Sequence, residues 1–361
     1  MKKAGIITFH RAENFGAVMQ TYALQEVLKS LGAEVYVIDH HNKNIEAQYH
    51  IFNPSILWSR KNVLVSFRNY IGRFKSLNSR RIKKKGYLDF RNEYLNIVAE
   101  SKWKQCDLLI TGSDQVWNLY LTGGFDDFYF LNLPSLLGQK RISYAASSDK
   151  DPKELLKQHS AQVKNALEKF DGLSVREDFL KDKLLDFIDK DIEVLLDPTF
   201  LLDVSEYDKI AIKPKEKGYV CIYHMTPTEE GRKLAERIAS ERALDVVELF
   251  GGYEVRKSGN ICKADLSPRE LLGYLRYADI VVTTSFHGVA FSVKFRKDCW
   301  VIDKGDNFRQ KNILNKLGLN DRLVIDPEEV DINQPIDYTK VSKMLSPMIK
   351  SSIDYLRNAL K

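Results

Sequence analysis

AGIITFHRAENFGAVMQTYALQEVLKSLGAEVYVID, residues 4–39, is the stretch whose reading decides the fold class. AGIITFH is a short apolar run of strand type, His10 to Gly16 make a polar turn, and Leu24, Val27, Leu28 and Leu31 then recur at helical spacing. Gly32 stands where a helix stop belongs, and VYVID supplies a second buried strand. Strand, loop, helix and strand in that order form the unit from which open parallel sheets are built.

The alternation continues outward. Strand-like runs follow at DLLIT (107–111), RISYAA (141–146), GLSV (172–175) and EVLL (193–196), with a helical stretch near 153–170. Beyond a Lys/Pro-rich linker at 212–218 a second set begins. YVCIYHM (219–225), DVVELF (245–250), DIVVTT (279–284) and CWVID (299–303) read as strands, with helices at 228–242 and 268–278. The length of 361 residues fits two domains at about 150 residues each. The expected division is 1–205, 212–338 and a terminal helical segment 339–361 that packs back across the domains. Two such α/β units put a ligand cleft between their strand ends.

Composition excludes several classes. Lys and Arg number 55 against 49 Asp and Glu, and a net charge of +6 over this length does not describe a dedicated nucleic-acid binder. Four cysteines without CxxC or Cys/His spacing signal neither zinc nor a disulfide framework. No signal peptide or membrane span is read, so a cytoplasmic location is expected. Residues 51–98 break the strand–helix rhythm. From Trp58 to Lys85, basic residues interleave with Leu64, Phe67, Tyr70, Ile71, Phe74 and Leu77 at helical spacing. That pattern belongs first to an ordinary surface helix with a solvated charged face, and it also suits a helix lying on an anionic membrane surface, here the inner face of the membrane.

Four loops that follow strands carry candidate chemistry. In the first, Asn14 and Gly16 precede a helix whose free N–H groups attract anions, or Asn14 simply caps that helix. In the second, Gly112-Ser113-Asp114 offers a base or a holder of sugar hydroxyls, with Trp117 and Asn118 as a sugar platform; the alternative is an Asp that caps the next helix. The third places Arg176 at a strand end, suited to an anionic ligand or to an internal pair with Glu177 or Asp197. The fourth, Thr283-Thr284-Ser285-Phe286-His287-Gly288, sets a histidine where proton transfer is feasible, with Gly288 clearing space. Arg309 and Lys311 follow the next strand and complete an anion pocket.

At these loops the chain resembles the polysaccharide pyruvyl transferase family. The motifs are NFGAVMQTYAL (14–24), TGSDQVWN (111–118), ISYAASS (142–148), SVRE (174–177), LDPTFLL (196–202) and TTSFHG (283–288). The resemblance implies two Rossmann-like domains in a GT-B-like arrangement with an interdomain cleft. It also implies transfer of the enolpyruvyl group of phosphoenolpyruvate onto two hydroxyls of a sugar, giving a pyruvate ketal and phosphate. The acceptor would be a surface polysaccharide or lipid-linked glycan precursor. Neither a metal nor a cofactor beyond the donor substrate is implied. By this resemblance His287 is the acid or base with Asp114 second. Arg176, Ser285, Gly288, Arg309 and Lys311 serve the donor, and Asn14, Gly16, Gly112, Ser113, Trp117 and Asn118 the acceptor. Several family members carry an arginine two residues before the histidine; Ser285 stands there in this chain, which leaves Arg309 to supply the cation. A nucleotide-sugar glycosyltransferase and a non-catalytic glycan-binding protein are the competing expectations.

Overall fold

The computed structural model describes residues 1–49, 77–133, 138–149, 151, 153–225, 227–251, 258–305 and 308–361. Apolar runs flanked by turns become two sheets, parallel throughout among those residues. The first contains β1 (Lys3–Ile7), β2 (Glu34–Ile38), β3 (Ile97–Val98), β4 (Leu108–Asp114), β5 (Lys140–Ala146), β6 (Leu173–Val175) and β7 (Ile192–Val194), in the order β3-β2-β1-β4-β5-β6-β7. The second contains β8 (Tyr219–His224), β9 (Asp245–Phe250), β10 (Ile261–Lys263), β11 (Ile280–Thr283), β12 (Asp298–Ile302) and β13 (Leu323–Val324), in the order β10-β9-β8-β11-β12-β13. The α/β reading with two Rossmann-like units therefore holds. Each order reverses once, between β1 and β4 and between β8 and β11, and such switch points open a crevice at the carboxyl ends of the strands.

Three differences from the sequence reading have simple causes. The edge strands β3, β10 and β13 are two or three residues long, too short to show an apolar run. The helical stretch at 153–170 divides into Lys153–Gln158 and Ser160–Leu167, broken at His159. The third is that β4 continues through Gly112, Ser113 and Asp114, so those residues belong to a buried strand end and not to a loop.

Helix α1 (Phe15–Ser30) is capped by Asn14, whose side chain accepts the Ala17 N–H at 3.2 Å. It is buried on nearly all sides, Gln20, Thr21 and Gln25 included, because it lies between the two halves. One apolar core runs through both of them, from Ile6 and Val18 by way of Phe200 and Tyr207 to Val281 and Phe291. Phe15 on α1 meets Phe291 with ring centroids 5.2 Å apart, and Tyr207 meets Phe291 at the same separation. The segment after the helix Val204–Ile210 is pinned as well, since the Ile212 N–H donates to Arg269 O at 3.1 Å.

Two further helices span the halves. Of the basic stretch 58–85, residues 58–76 lie outside the described residues; the rest opens α2 (Leu77–Tyr94). Arg81, Lys84 and Lys85 are exposed as expected, but Arg80 and Lys83 turn inward. Lys83 Nζ donates to Gly251 O just past β9 at 2.6 Å, and Arg91 of the same helix donates to Arg11 O at 2.7 Å. This segment is therefore a structural strap along one face and a basic surface only along the other. Helix α3 (Phe286–Lys294) follows β11. Helix α4 (Tyr338–Ala359) packs back across the molecule: Tyr338 donates to Lys297 O in the second half, and Tyr355 donates to Ser143 O in the first.

A core shared between both sheets should unfold as one unit. Phe291→Ala, which removes a fully buried ring, is expected to lower stability by about 3–5 kcal/mol. Chemical denaturation followed by both far-UV circular dichroism and tryptophan fluorescence should give one coincident transition for the parent and the variant.

Candidate active site

The strand ends at both switch points line one cavity of about 320 Å³. The loop after β1 contributes Ala12 and Asn14, the end of β4 contributes Asp114, and Asp149 follows β5. From the second half come Met225 after β8, Thr284, Ser285, Phe286 and His287 after β11, Lys304 after β12, and Arg309 and Gln310 on the next helix. Ile45, Gln48 and Tyr49 close another side.

His287 lies in the first turn of α3, with Ser285 as the residue at the helix cap. Its imidazole rests directly on α1 of the other half. A side-chain carbon built on Gly16 would stand 1.8 Å from His287 Nδ1, so only glycine permits this seat. On the opposite side, His287 Nε2 is 3.5 Å from Asp197 Oδ2. Asp197 is fully buried, and Arg176 NH1 donates to the same oxygen at 2.7 Å. Burial pushes the Asp197 carboxyl up, but His287, Arg176 and the Thr199 N–H together hold it well below the usual carboxylate range.

Asp114 faces the cavity from a residue with φ of 68°. Close by is Tyr49, whose phenol is pushed up by burial and by the neighbouring charges of Asp114 and Glu13. Arg309 is the cation best placed for an anion: its guanidinium lines the cavity, with Asp149 Oδ2 at 3.9 Å, beyond hydrogen-bond reach. Among the described residues no group of three or more His, Cys, Asp or Glu is placed to hold a metal ion.

Of the residues singled out from sequence, Asn14, Asp114, Ser285, His287 and Arg309 meet in this cavity, and the others take different places. Arg176 is not available to a donor anion, because Glu177, Asp197 and Ser147 accept its hydrogen bonds at 2.7 Å each and Phe286 stacks 4.1 Å from its guanidinium. Lys311 pairs with Asp303 at 2.9 Å, away from the cavity lining. Trp117 is no sugar platform: fully buried, it stacks on Phe130 and donates to Tyr129 O. Asn118 caps the short helix Leu119–Thr122 and donates to Asp149. Ser113 is buried beside Asp197, at 3.3 Å. Gly112, at φ 106°, lets the strand end pass Tyr144 O, and Gly288 makes room for the Thr283 hydroxyl and not for a ligand.

The profile of the polysaccharide pyruvyl transferase family matches residues 14–305, which includes every residue of the cavity except Phe9, Ala12, Arg309 and Gln310. The chain belongs to the polysaccharide pyruvyl transferase family. No match was found among curated proteins. Solved structures similar to this transferase include the UDP-GlcNAc 2-epimerase of Methanocaldococcus jannaschii, 13% identical over 97% of this chain and 93% of that one, with a TM-score of 0.43. The glycosyltransferase SnogD of Streptomyces nogalater is 12% identical over 100% and 95%, at 0.40. MurG of Acinetobacter baumannii is 8% identical over 99% of both, at 0.42.

From sequence the histidine reads as part of a strand-end loop, whereas it lies in the first turn of α3; Tyr49 and Lys304 in the cavity and the role of Asp197 behind it were not read. Asp197 lay in plain view within LDPTFLL; a buried Asp that starts a Pro-Thr turn is the signal that would have found it. Gly16→Ala tests the seat of the imidazole. The added methyl must displace the ring, and displacement of about 1 Å costs on the order of a hundredfold in turnover. Far-UV circular dichroism should be unchanged while steady-state turnover falls by that factor.

Proposed function

We propose that this transferase moves the enolpyruvyl group of phosphoenolpyruvate onto two hydroxyls of one sugar of a glycan precursor, forming a ketal and releasing phosphate. The observation that carries the reading is that His287, Asp114 and Arg309 share one cavity at the two switch points of a chain that belongs to this family. Phosphoenolpyruvate presents a carboxylate and a phosphate. Arg309 and Lys304 offer cations on the second-half side, and the first turns of α1 and α3 open toward the same space.

His287 gives a proton to the enol methylene carbon, which leaves an oxocarbenium-like centre at the carbon bearing the phosphate. The first sugar hydroxyl attacks that centre while Asp114 takes its proton. Phosphate departs, and the second hydroxyl closes the ketal. Over the cycle the two hydroxyl protons replace the one given by His287 and protonate the departing phosphate. Tyr49 and Asn14 lie on the cavity's first-half side, where they hold acceptor hydroxyls.

Phosphate release from phosphoenolpyruvate with galactose- or mannosamine-containing acceptors is the decisive measurement. His287→Gln should slow it by about 10²–10⁴-fold. Arg309→Ala should raise the KM for phosphoenolpyruvate by roughly 10–150-fold, the equivalent of one charged hydrogen bond of about 1.5–3 kcal/mol. Thermal stabilisation by UDP or GDP and none by phosphoenolpyruvate would overturn the reading in favour of a nucleotide-sugar transferase.

The acceptor reading extends to a lipid carrier at an anionic membrane. Residues 58–85 hold ten Lys or Arg and no Asp or Glu, and among the described residues no helix is long and apolar enough to cross a membrane. The exposed Arg81, Lys84 and Lys85 lie beside exposed Ile82 and Leu88. Co-sedimentation with phosphatidylglycerol vesicles should be strong at low salt, lost at high salt and absent with phosphatidylcholine alone. Replacing Arg81, Lys84 and Lys85 by serine should weaken it by about a hundredfold, at about 1 kcal/mol for each charge.

A further inference from the structure

We propose that Asp197 is a positioning residue for His287, held by Arg176 so that the imidazole keeps one tautomer and stays aimed at its substrate; the step it serves rests on the pyruvyl-transfer reading. The geometry around Asp197 is saturated on every side but one. Thr199 donates to Oδ1 through its N–H at 3.0 Å and its hydroxyl at 2.7 Å. Oδ2 takes Arg176 NH1 at 2.7 Å, with Ser113 Oγ at 3.3 Å. What Oδ2 still faces is His287 Nε2 at 3.5 Å, a buried ring nitrogen with no hydrogen-bond partner among the described residues.

Arg176 cannot swing away to serve a ligand. Glu177 Oε1 accepts from its Nε, Ser147 Oγ accepts from NH2, and Phe286, the residue before His287, covers its face. The frame therefore fixes the carboxylate, and the neighbouring ring fixes the guanidinium. Its charge matters as much as its shape. Asp197 and Glu177 share the Arg176 guanidinium, and burial pushes the Glu177 carboxyl up against the opposing pull of Arg176 and Arg309. The other charged or titratable groups around the ring are Asp114, Asp149, Tyr49, Lys304 and Arg309 across the cavity.

With Nε2 turned to Asp197, Nδ1 on the Gly16 side is the nitrogen that acts. In the first step the N–H bond at Nδ1 breaks, and the C=C pair of the enol forms the new C–H bond. The neutral imidazole is recharged by a proton that a sugar hydroxyl releases. Asp197 touches neither substrate in this scheme; it sets the tautomer and aim of the ring that does.

The test is the ¹⁵N spectrum of protein labelled with ¹³C and ¹⁵N at histidine, the His287 signals assigned with His287→Gln. Asp197→Asn should shift the Nε2 signal of His287 and redistribute the ring proton between its two nitrogens, because the oxygen that Nε2 faces is lost. Thr199→Val, a milder change that loosens the same carboxylate, should shift the same signal by less and covers the case in which Asp197→Asn fails to fold. In the phosphate-release assay Asp197→Asn should lower kcat with little change in the KM for phosphoenolpyruvate, and placed on His287→Gln it should slow the reaction no further. Unmoved His287 signals in folded variants, or additive losses in the double variant, would overturn the proposal. Shifted signals together with no phosphate release from any acceptor would leave the pairing intact and overturn the reaction instead.

Discussion

His287 and Gly16 come from different sheets, and their contact is closer than any side chain on Gly16 would allow. Everything else about the site follows from the need to bring those two helix starts together. The shared core supplies the force: Phe15, the neighbour of Gly16, and Phe291, one helical turn beyond His287, bury their rings against each other. Apolar burial is non-directional, so by itself it would permit sliding between the halves. Direction comes from the polar ties at the periphery, where α2 reaches the end of β9 through Lys83 and α4 links Lys297 to Ser143 through its tyrosines. The cleft is thus bounded by a fixed joint, and its two walls are parts of one packed body.

That joint also sorts charge. Behind the imidazole sits the buried cluster of Asp197, Glu177 and Arg176, closed off from the cavity by Phe286 and His287. In front of it are Asp114 from the first half and Arg309 and Lys304 from the second. A buried ion cluster is costly unless each member is hydrogen-bonded, which explains why so many small hydroxyl residues converge there: Ser113, Ser147 and Thr199 all turn their oxygens to it. The motifs that look like a ligand site in sequence are therefore in part the support behind the site.

This accounts for what was legible and what was not. Strand–helix alternation and strand-end loops could be read because periodicity and turn residues are local, and the histidine could be read because it follows the short apolar strand β11. Arg176 could not be assigned, since an arginine at a strand end has the same local sequence whether it meets a ligand or a buried carboxylate; the partner Asp197 is supplied by another loop. Trp117 failed for the same reason. A tryptophan beside polar residues suggests a sugar platform, but its neighbour Phe130 and the acceptor Tyr129 O come from beyond the turn and draw it into the core. Lys311 and Lys304 exchange roles because a helix start rotates one toward Asp303 and leaves the other at the end of β12.

Ser285 serves the loop before His287 through its backbone. It occupies the cap of α3, and its N–H is taken by the Thr283 hydroxyl, so the loop geometry that presents His287 does not depend on a long side chain there. Arg309 brings a cation into the same cavity from the helix Phe308–Lys316, which starts one strand further on. Two routes to one position are possible because β11 and β12 are adjacent and parallel, which brings the loops after both strands to the same edge of the sheet. In such an arrangement a positive charge can reach the cavity from either loop.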